Sequence, residues 1–425
     1  MTLLAQTTLF AGSVLVRDAP LTVQTPPIAW GYAASIALDR PNGSEVVVEI
    51  TVRVTQSPVA VSCTDATLQS LSGEITIPGD GVARDFQFFC DPAHGESLLI
   101  RTAGTGATAV VEVSSFRTRV LTPEEHASVA AVTPLRPVPG WSRYYGTSGE
   151  SLVERKRVSD YLALDTPVKR PWIAGLTTVI YPRDQLSRAL YVSGLYEPNT
   201  ALVLQRLLTA GSTFIDVGAH AGVFTMLGSR FVGSTGRVVS FEPSERERAR
   251  LAEHVRVNDL TNVTVVPKAV GGSSGRATLR VAVSEYGGLN TVGARFAYEG
   301  VETAAEMAVD LTTLDEFAAT AGLQRVDAIK LDIEGAEYAA LRGAAHVLAS
   351  LRPALIIEVF SSALAAHGAT AAQLERLLRE SAYRLFRIDD HTAALHPLES
   401  IAEADEQNLV ALPGGERPRD ERYTA

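Results

Sequence analysis

Asp216, Glu242, Lys330, Asp332 and Glu334 are placed where side chains do chemistry, at or beside the ends of short apolar runs. Asp216 lies in Thr213-Phe214-Ile215-Asp216-Val217, and Gly218-Ala219-His220-Ala221-Gly222 follows it. Phe214, Ile215 and Val217 favour a strand, and Val223-Phe224-Thr225-Met226-Leu227 opens a helix. Glycines between a strand and a helix let a ligand approach the backbone and accept φ > 0. An ordinary strand–helix turn has the same residues, so the second run matters. Gly236 to Phe241 is a strand closed by Glu242 and stopped by Pro243. Glu242 lies roughly twenty residues past the glycines, the spacing at which an acid accepts hydrogen bonds from ribose hydroxyls. The turn lacks the G-x-G-x-x-G spacing that seats a pyrophosphate. A ribose ligand without pyrophosphate, S-adenosylmethionine, therefore fits better than a nicotinamide dinucleotide.

Lys330 and Asp332 are two apart on a strand and share a face. They form either a salt-bridged strand end or part of a proton-transfer group with Glu334 and Glu337. A carboxylate is a weak base for an alcohol, so Asp332 or Glu334 needs burial to raise its pKa. His220 has a naturally suitable pKa, and its plainer role is to cap or pack the turn. Asp216 either supports the turn or meets the amine of a bound methionine. The carboxylates could also hold a divalent cation that positions two hydroxyls.

Six stretches resemble, in order, the FkbM family of class I S-adenosylmethionine-dependent methyltransferases. They are Gly194-Leu195-Tyr196-Glu197, Ile215 to Gly222, Phe241-Glu242-Pro243, Pro267 to Gly271, Leu314 to Phe317, and Ile329 to Glu337. The resemblance runs from about Tyr181 to Pro413. It implies a Rossmann-like class I methyltransferase sheet, S-adenosylmethionine as cofactor and O-methyl transfer. It also implies a cofactor role for Tyr196 and Glu197, whose alternative is a helix-entry contact. His220 stands where the family often has Asn, which leaves the role of position 220 open. Together the residues and the resemblance give Tyr196, Glu197, Asp216, Gly218, Gly222 and Glu242 as cofactor residues, and Asp332, Glu334 and His220 as catalytic candidates.

These residues need an α/β frame, and residues 181–425 supply one. Strands are expected at 213–217, 236–242, 263–266, 327–332, 354–359, 383–388 and 409–412, with an extra one at 279–283 and a loop at 287–291. Helices are expected at 184–192, 199–208, 244–257 and 336–351. Such alternation makes a doubly wound sheet, with ligands at the carboxyl ends of its strands.

Residues 1–120 read as an all-β, jelly-roll-like sandwich, with short strands at 46–54, 58–63, 74–78, 86–90, 97–102 and 108–116 and a turn at Gly104-Thr105-Gly106. Trp30 and Tyr32 can stack on a sugar, although core packing is the default for aromatics. Residues 121–180 form a connector with a helix begun by Thr122-Pro123 and another from Glu150 to Leu164, whose Arg155, Lys156 and Arg157 are expected in solvent. Trp141, Tyr144 and Tyr145 either line an acceptor pocket or pack.

The net charge of −10 disfavours nucleic acid as acceptor. Cys63 and Cys90 are the only cysteines and are expected as reduced buried thiols in a cytoplasmic protein. No run of eighteen apolar residues suggests a membrane span. The acceptor is expected to be a hydroxyl on a sugar-bearing or polyketide-type small molecule or glycan, and self-association stays open. The competing classes are an N-methyltransferase on a peptide or amine, a nicotinamide oxidoreductase, and a non-enzymatic glycan-binding protein.

Overall fold

The computed structural model of the chain describes residues 3–414 apart from 12, 39–44, 65–70, 91–96, 104–106, 140, 142–150, 294–295, 297–299 and 402–406. The expected turn at Gly104-Thr105-Gly106, Tyr144, Tyr145, Glu150 and the tail beyond Gly414 lie outside the described residues. Two compact units are present: Met1–Ala131 with Thr147–Leu164, and Val132–Gly146 with Asp165–Ala425. The stretch 121–180, expected as a separate connector, is thus divided between them. Among the described residues no helix is long and apolar enough to cross a membrane.

In the first unit, valines alternate with polar residues along Val46–Thr55, so Val46, Val48, Ile50, Val52 and Val54 all turn inward. Two five-stranded antiparallel sheets share that core. One runs Thr7–Leu9, Tyr32–Ala37, Ser97–Thr102, Val59–Thr64, Leu71–Ile77 in spatial order. The other runs Val14–Asp18, Leu21–Gln24, Val110–Arg119, Val46–Thr55, Asp80–Cys90. The strands before residue 46 lie beyond the sequence expectation. Their runs are short and broken by Pro20, Pro26 and Pro27.

Three expectations are corrected in this unit. Cys63 and Cys90 are joined as a disulfide between the two sheets rather than held as free thiols. This removes the redox support for a cytoplasmic location. Trp30 is half exposed, with the Arg101 guanidinium 4.6 Å from its ring, rather than in the core. Arg155, Lys156 and Arg157 are buried, not solvated. Their helix, Leu152–Leu162, gives each charge a partner as it is covered. Lys156 pairs with Glu45 and Asp160 and stands 4.6 Å over the Phe89 ring. Arg157 donates to the carbonyls of Ser128, Val129 and Ala131 at the end of helix Pro123–Ala130. That helix starts on the expected Thr122, which with Glu125 forms a reciprocal cap.

In the second unit one eight-stranded sheet has the spatial order Val263–Val266, Arg237–Phe241, Thr213–Val217, Ala328–Leu331, Ala354–Val359, Gln407–Pro413, Tyr383–Ile388, Leu395–Pro397. The first five are parallel, and Gln407–Pro413 runs antiparallel to both neighbours. Chain order reverses between Thr213–Val217 and Ala328–Leu331, and a ligand crevice opens where such order reverses. Near-continuous apolar runs mark these strands as buried on both faces. Ile215, Val217, Ile329, Leu331, Leu355 and Ile357 form the core of one face. A separate three-stranded sheet joins Ala269–Val270, Thr303–Thr312 and Gly275–Ala282. Of these, only the last overlaps an expected strand. The helix expected over 336–351 stops at Arg342, and a π-type turn, Val347–Leu351, follows it. A Cβ on Gly343 would lie 2.5 Å from the Gly271 carbonyl oxygen, and Asp315 caps the second piece by accepting from the N–H groups of His346 and Val347.

Candidate active site

The glycine turn is fixed by what lies beneath it. Gly218 has φ +81°, and a Cβ there would sit 1.8 Å from the carbonyl oxygen of Asp332, so only glycine lets the two strand ends meet. Gly218 and Ala219 both donate to the Phe241 carbonyl. His220 takes the left-handed conformation, φ 49°, which a non-glycine residue holds only when its surroundings impose it. Glu242 is part of that imposition. One of its oxygens accepts from the backbone N–H of His220 at 2.8 Å, the other from that of Ser244 at 2.7 Å. Burial pushes its carboxyl up to about 7, against the pull of His220 and these two N–H groups. Gly222 has φ +90° and starts the Val223–Val232 helix, but its missing Cβ makes room for Leu251. It borders neither cavity, so its expected contact with a ligand gives way to a packing role.

Two cavities open from the turn, of about 370 Å³ and about 50 Å³. They share Gly218, His220, Gly287, Gly288 and Asp332. The smaller contains Glu242, Lys268 and Asn290 in its wall. The larger reaches across the carboxyl ends of Thr213–Val217, Ala328–Leu331 and Ala354–Val359, and takes in Tyr196, Glu197, Asp216, Glu334 and Glu358.

Charge in the large cavity is arranged around Lys330. It is buried, its Nζ is 2.5 Å from Asp332 Oδ2, and the Phe224 ring lies 4.5 Å away. Burial opposes its charge, but Asp332, Glu197, Asp216 and Glu358 more than restore it and keep it a cation. Asp332 is raised by burial and brought below the ordinary carboxylate range by Lys330. Glu358 is pushed well above that range by burial and by the charges of Asp332 and Glu334. One carboxylate oxygen from each of Asp332, Glu334 and Glu358 lies within 4.8 Å of the others. Such a set of hard oxygens suits a divalent cation, but Lys330 already supplies the counter-charge to Asp332. Asp216 faces Lys330 across the ladder and accepts from Thr225 Oγ1 at 2.7 Å. Burial, eased by Lys330, takes its carboxyl to about 6.

Behind the turn His220 Nε2 lies 3.2 Å from Glu247 Oε2, an ion-pair distance without hydrogen-bond alignment. Glu247 is fully buried. Burial raises its carboxyl, but His220, Arg250 and Arg246 bring it down to about 2. Burial works against a charge on His220, and Glu247 reverses this, so its pKa lies above the usual imidazole value. Arg250 continues the chain of charges to Asp184 at 2.8 Å.

The structure thus gathers all nine anticipated residues except Gly222 around the paired cavities. Trp141, expected either to line an acceptor pocket or to pack, borders the large cavity, 6.5 Å edge-on to Tyr196. Glu358, Asn408 and Asp390 also border it without having been assigned a role. Glu358 was legible as an acid at a strand end. Asn408 pairs opposite Glu358 in an antiparallel strand, a juxtaposition with no sequence signal.

Residues 216–385 match the family model described as the methyltransferase FkbM domain. No curated protein matches the chain. Among solved structures, the chain is similar to a methyltransferase FkbM from Methylobacillus flagellatus at 17% identity, with 63% of this chain and 60% of that chain covered and a TM-score of 0.31. It thus spans less than two thirds of that relative's length. It is also similar to a SAM-dependent O-methyltransferase from Thermotoga maritima at 11% identity, with 85% and 94% covered and a TM-score of 0.31.

Proposed function

We propose that the second unit, which contains the matched residues 216–385, binds S-adenosylmethionine across the two cavities and methylates a hydroxyl of a small sugar-bearing or polyketide-type acceptor or glycan. One observation carries the reading. Glu242 grips the glycine turn at the wall of the small cavity, beside a large cavity at the ends of three parallel strands. The residues present fit the cofactor. Glu242 keeps lone pairs for ribose hydroxyls, Gly218 leaves the backbone open, and Tyr196, Glu197 and Asp216 border the large cavity where an amino-acid moiety would lie. When bound, the cofactor supplies an electrophilic methyl group on a sulfonium. The chain's own residues then have two tasks. They hold the acceptor oxygen in line with that carbon, and they take its proton. Asp332, kept ionised by Lys330, orients the hydroxyl. Glu334, His220 and Glu358 are the candidates to receive the proton.

Calorimetric titration with S-adenosylhomocysteine tests the assignment, with Glu242→Ala as the variant. Affinity is expected to fall at least about tenfold, the loss of roughly one charge-assisted hydrogen bond. Unchanged affinity removes Glu242 from the ribose. Binding is expected to be indifferent to EDTA, since Lys330 occupies the place a cation would take beside Asp332. An EDTA-sensitive titration would restore the metal.

A further inference from the structure

The small cavity has a buried donor in its wall with nothing to receive its hydrogens. Asn290 borders the cavity. Its Oδ1 accepts from the backbone N–H of Ala282 at 2.9 Å. A backbone N–H can only donate, so this bond settles which end of the amide is oxygen and which is nitrogen. Nδ2 is then the group the amide has left for the cavity. It is buried and has no acceptor among the described residues. Nor can the side chain turn to find one without giving up Ala282. Ala282 is itself fully buried, and Arg246 Nη1 holds its carbonyl at 2.9 Å. On the other side of Asn290, Thr291 exchanges two backbone hydrogen bonds with Arg280, at 2.8 and 3.1 Å. The donor is therefore fixed in place before any ligand arrives. A buried donor without an acceptor costs free energy unless a ligand supplies one.

The rest of the cavity suits a flat heteroaromatic ring. Val270, Leu279, Val292 and Ile333 give it apolar walls, and Glu242 stands in the same lining. A base attached to a ribose held at Glu242 would enter between those walls, where its ring nitrogens are the acceptors that Nδ2 lacks.

We propose that Asn290 selects the base of the cofactor, its Nδ2 donating to a ring nitrogen of adenine. The inference rests on the methyltransferase reading and assigns the small cavity to the base. Asn290 lies on the connection from Gly275–Ala282 to Thr303–Thr312, so the separate three-stranded sheet has the task of placing this donor. A base with an N–H at the same position would set donor against donor and be rejected.

The test titrates the full chain by calorimetry with S-adenosylhomocysteine and with three analogues in which the adenine N1, N3 or N7 is replaced by C–H. One analogue is expected to bind at least about fivefold more weakly than S-adenosylhomocysteine, the loss of one hydrogen bond. Asn290→Ala removes the donor. Asn290→Asp keeps the oxygen that Ala282 needs and turns the donor into an acceptor. Both are expected to bind S-adenosylhomocysteine at least about fivefold more weakly and to accept the discriminating analogue within about twofold of it. The assignment is overturned if all three analogues match S-adenosylhomocysteine on the natural chain, if the discrimination survives in either variant, or if Asn290→Asp binds as the natural chain does. Failure of the natural chain to bind S-adenosylhomocysteine sinks the methyltransferase reading instead, so the two failures are distinct.

Discussion

Glu337 accepts through one oxygen from the backbone N–H of Ile333 at 2.9 Å and of Gly335 at 3.3 Å, fixing the loop that carries Glu334. Burial, opposed by these N–H groups, pushes its carboxyl up to about 7. A folded pKa above the ordinary value of 4.5 means stability is full below about 4.5 and drains as pH rises towards 7. Glu337→Gln keeps the accepting oxygen and removes the charge. Thermal melts should show the variant and the natural protein alike near pH 4.5, with the variant more stable by on the order of 3 kcal/mol at pH 8. A gap that is constant with pH would contradict the assignment. Lys330 is the opposite case, a buried cation that several acids need. Lys330→Met should lower stability by roughly 3–5 kcal/mol, because carboxylates lose their counter-charge. A denaturant melt with an unshifted midpoint would show that the acids are neutral without it.

At the scale of elements, the glycine turn and the Ala328–Leu331 strand end are one device, because Gly218 sits on the Asp332 carbonyl. Gly218→Ala adds strain of about 1–3 kcal/mol at φ +81° and a clash that must separate the strand ends. Both melting temperature and affinity for S-adenosylhomocysteine should fall. If affinity were kept, the turn would not be part of the site. These elements were legible because each carries its own signals: an apolar run, an acid at its end, and glycine or proline after it. Elements whose stability comes from distant partners were not legible. Thr303–Thr312 is mostly exposed, and it is a strand because Gly275–Ala282 pairs along it. Arg155, Lys156 and Arg157 read as a solvated face. Nothing nearby in sequence announces Glu45, Phe88 or the carbonyls of Ser128, Val129 and Ala131 that receive them. The site divides in the same way. Asp216, Glu242 and Asp332 follow from local pattern, whereas Asn408 enters only through antiparallel pairing with Glu358.

At the scale of the molecule, two units are interleaved in sequence, since 147–164 belongs with the first and 132–146 with the second. The disulfide lies wholly within the first unit and closes a loop with a sequence separation of 27. A loop of that length is worth roughly 3 kcal/mol on chain-entropy grounds. Reduction should therefore lower the melting of the first unit alone and leave ligand affinity of the second unchanged, which calorimetry with and without reductant would show. Weakened binding on reduction would instead mean that the first unit supports the site. The central claim is that the paired cavities hold a ribose cofactor without a pyrophosphate. Its most direct test is calorimetric titration of the full chain with S-adenosylhomocysteine, with NAD as control. Saturable binding of S-adenosylhomocysteine and none of NAD is expected, whereas binding of NAD, or of neither, would contradict a ribose site without a pyrophosphate.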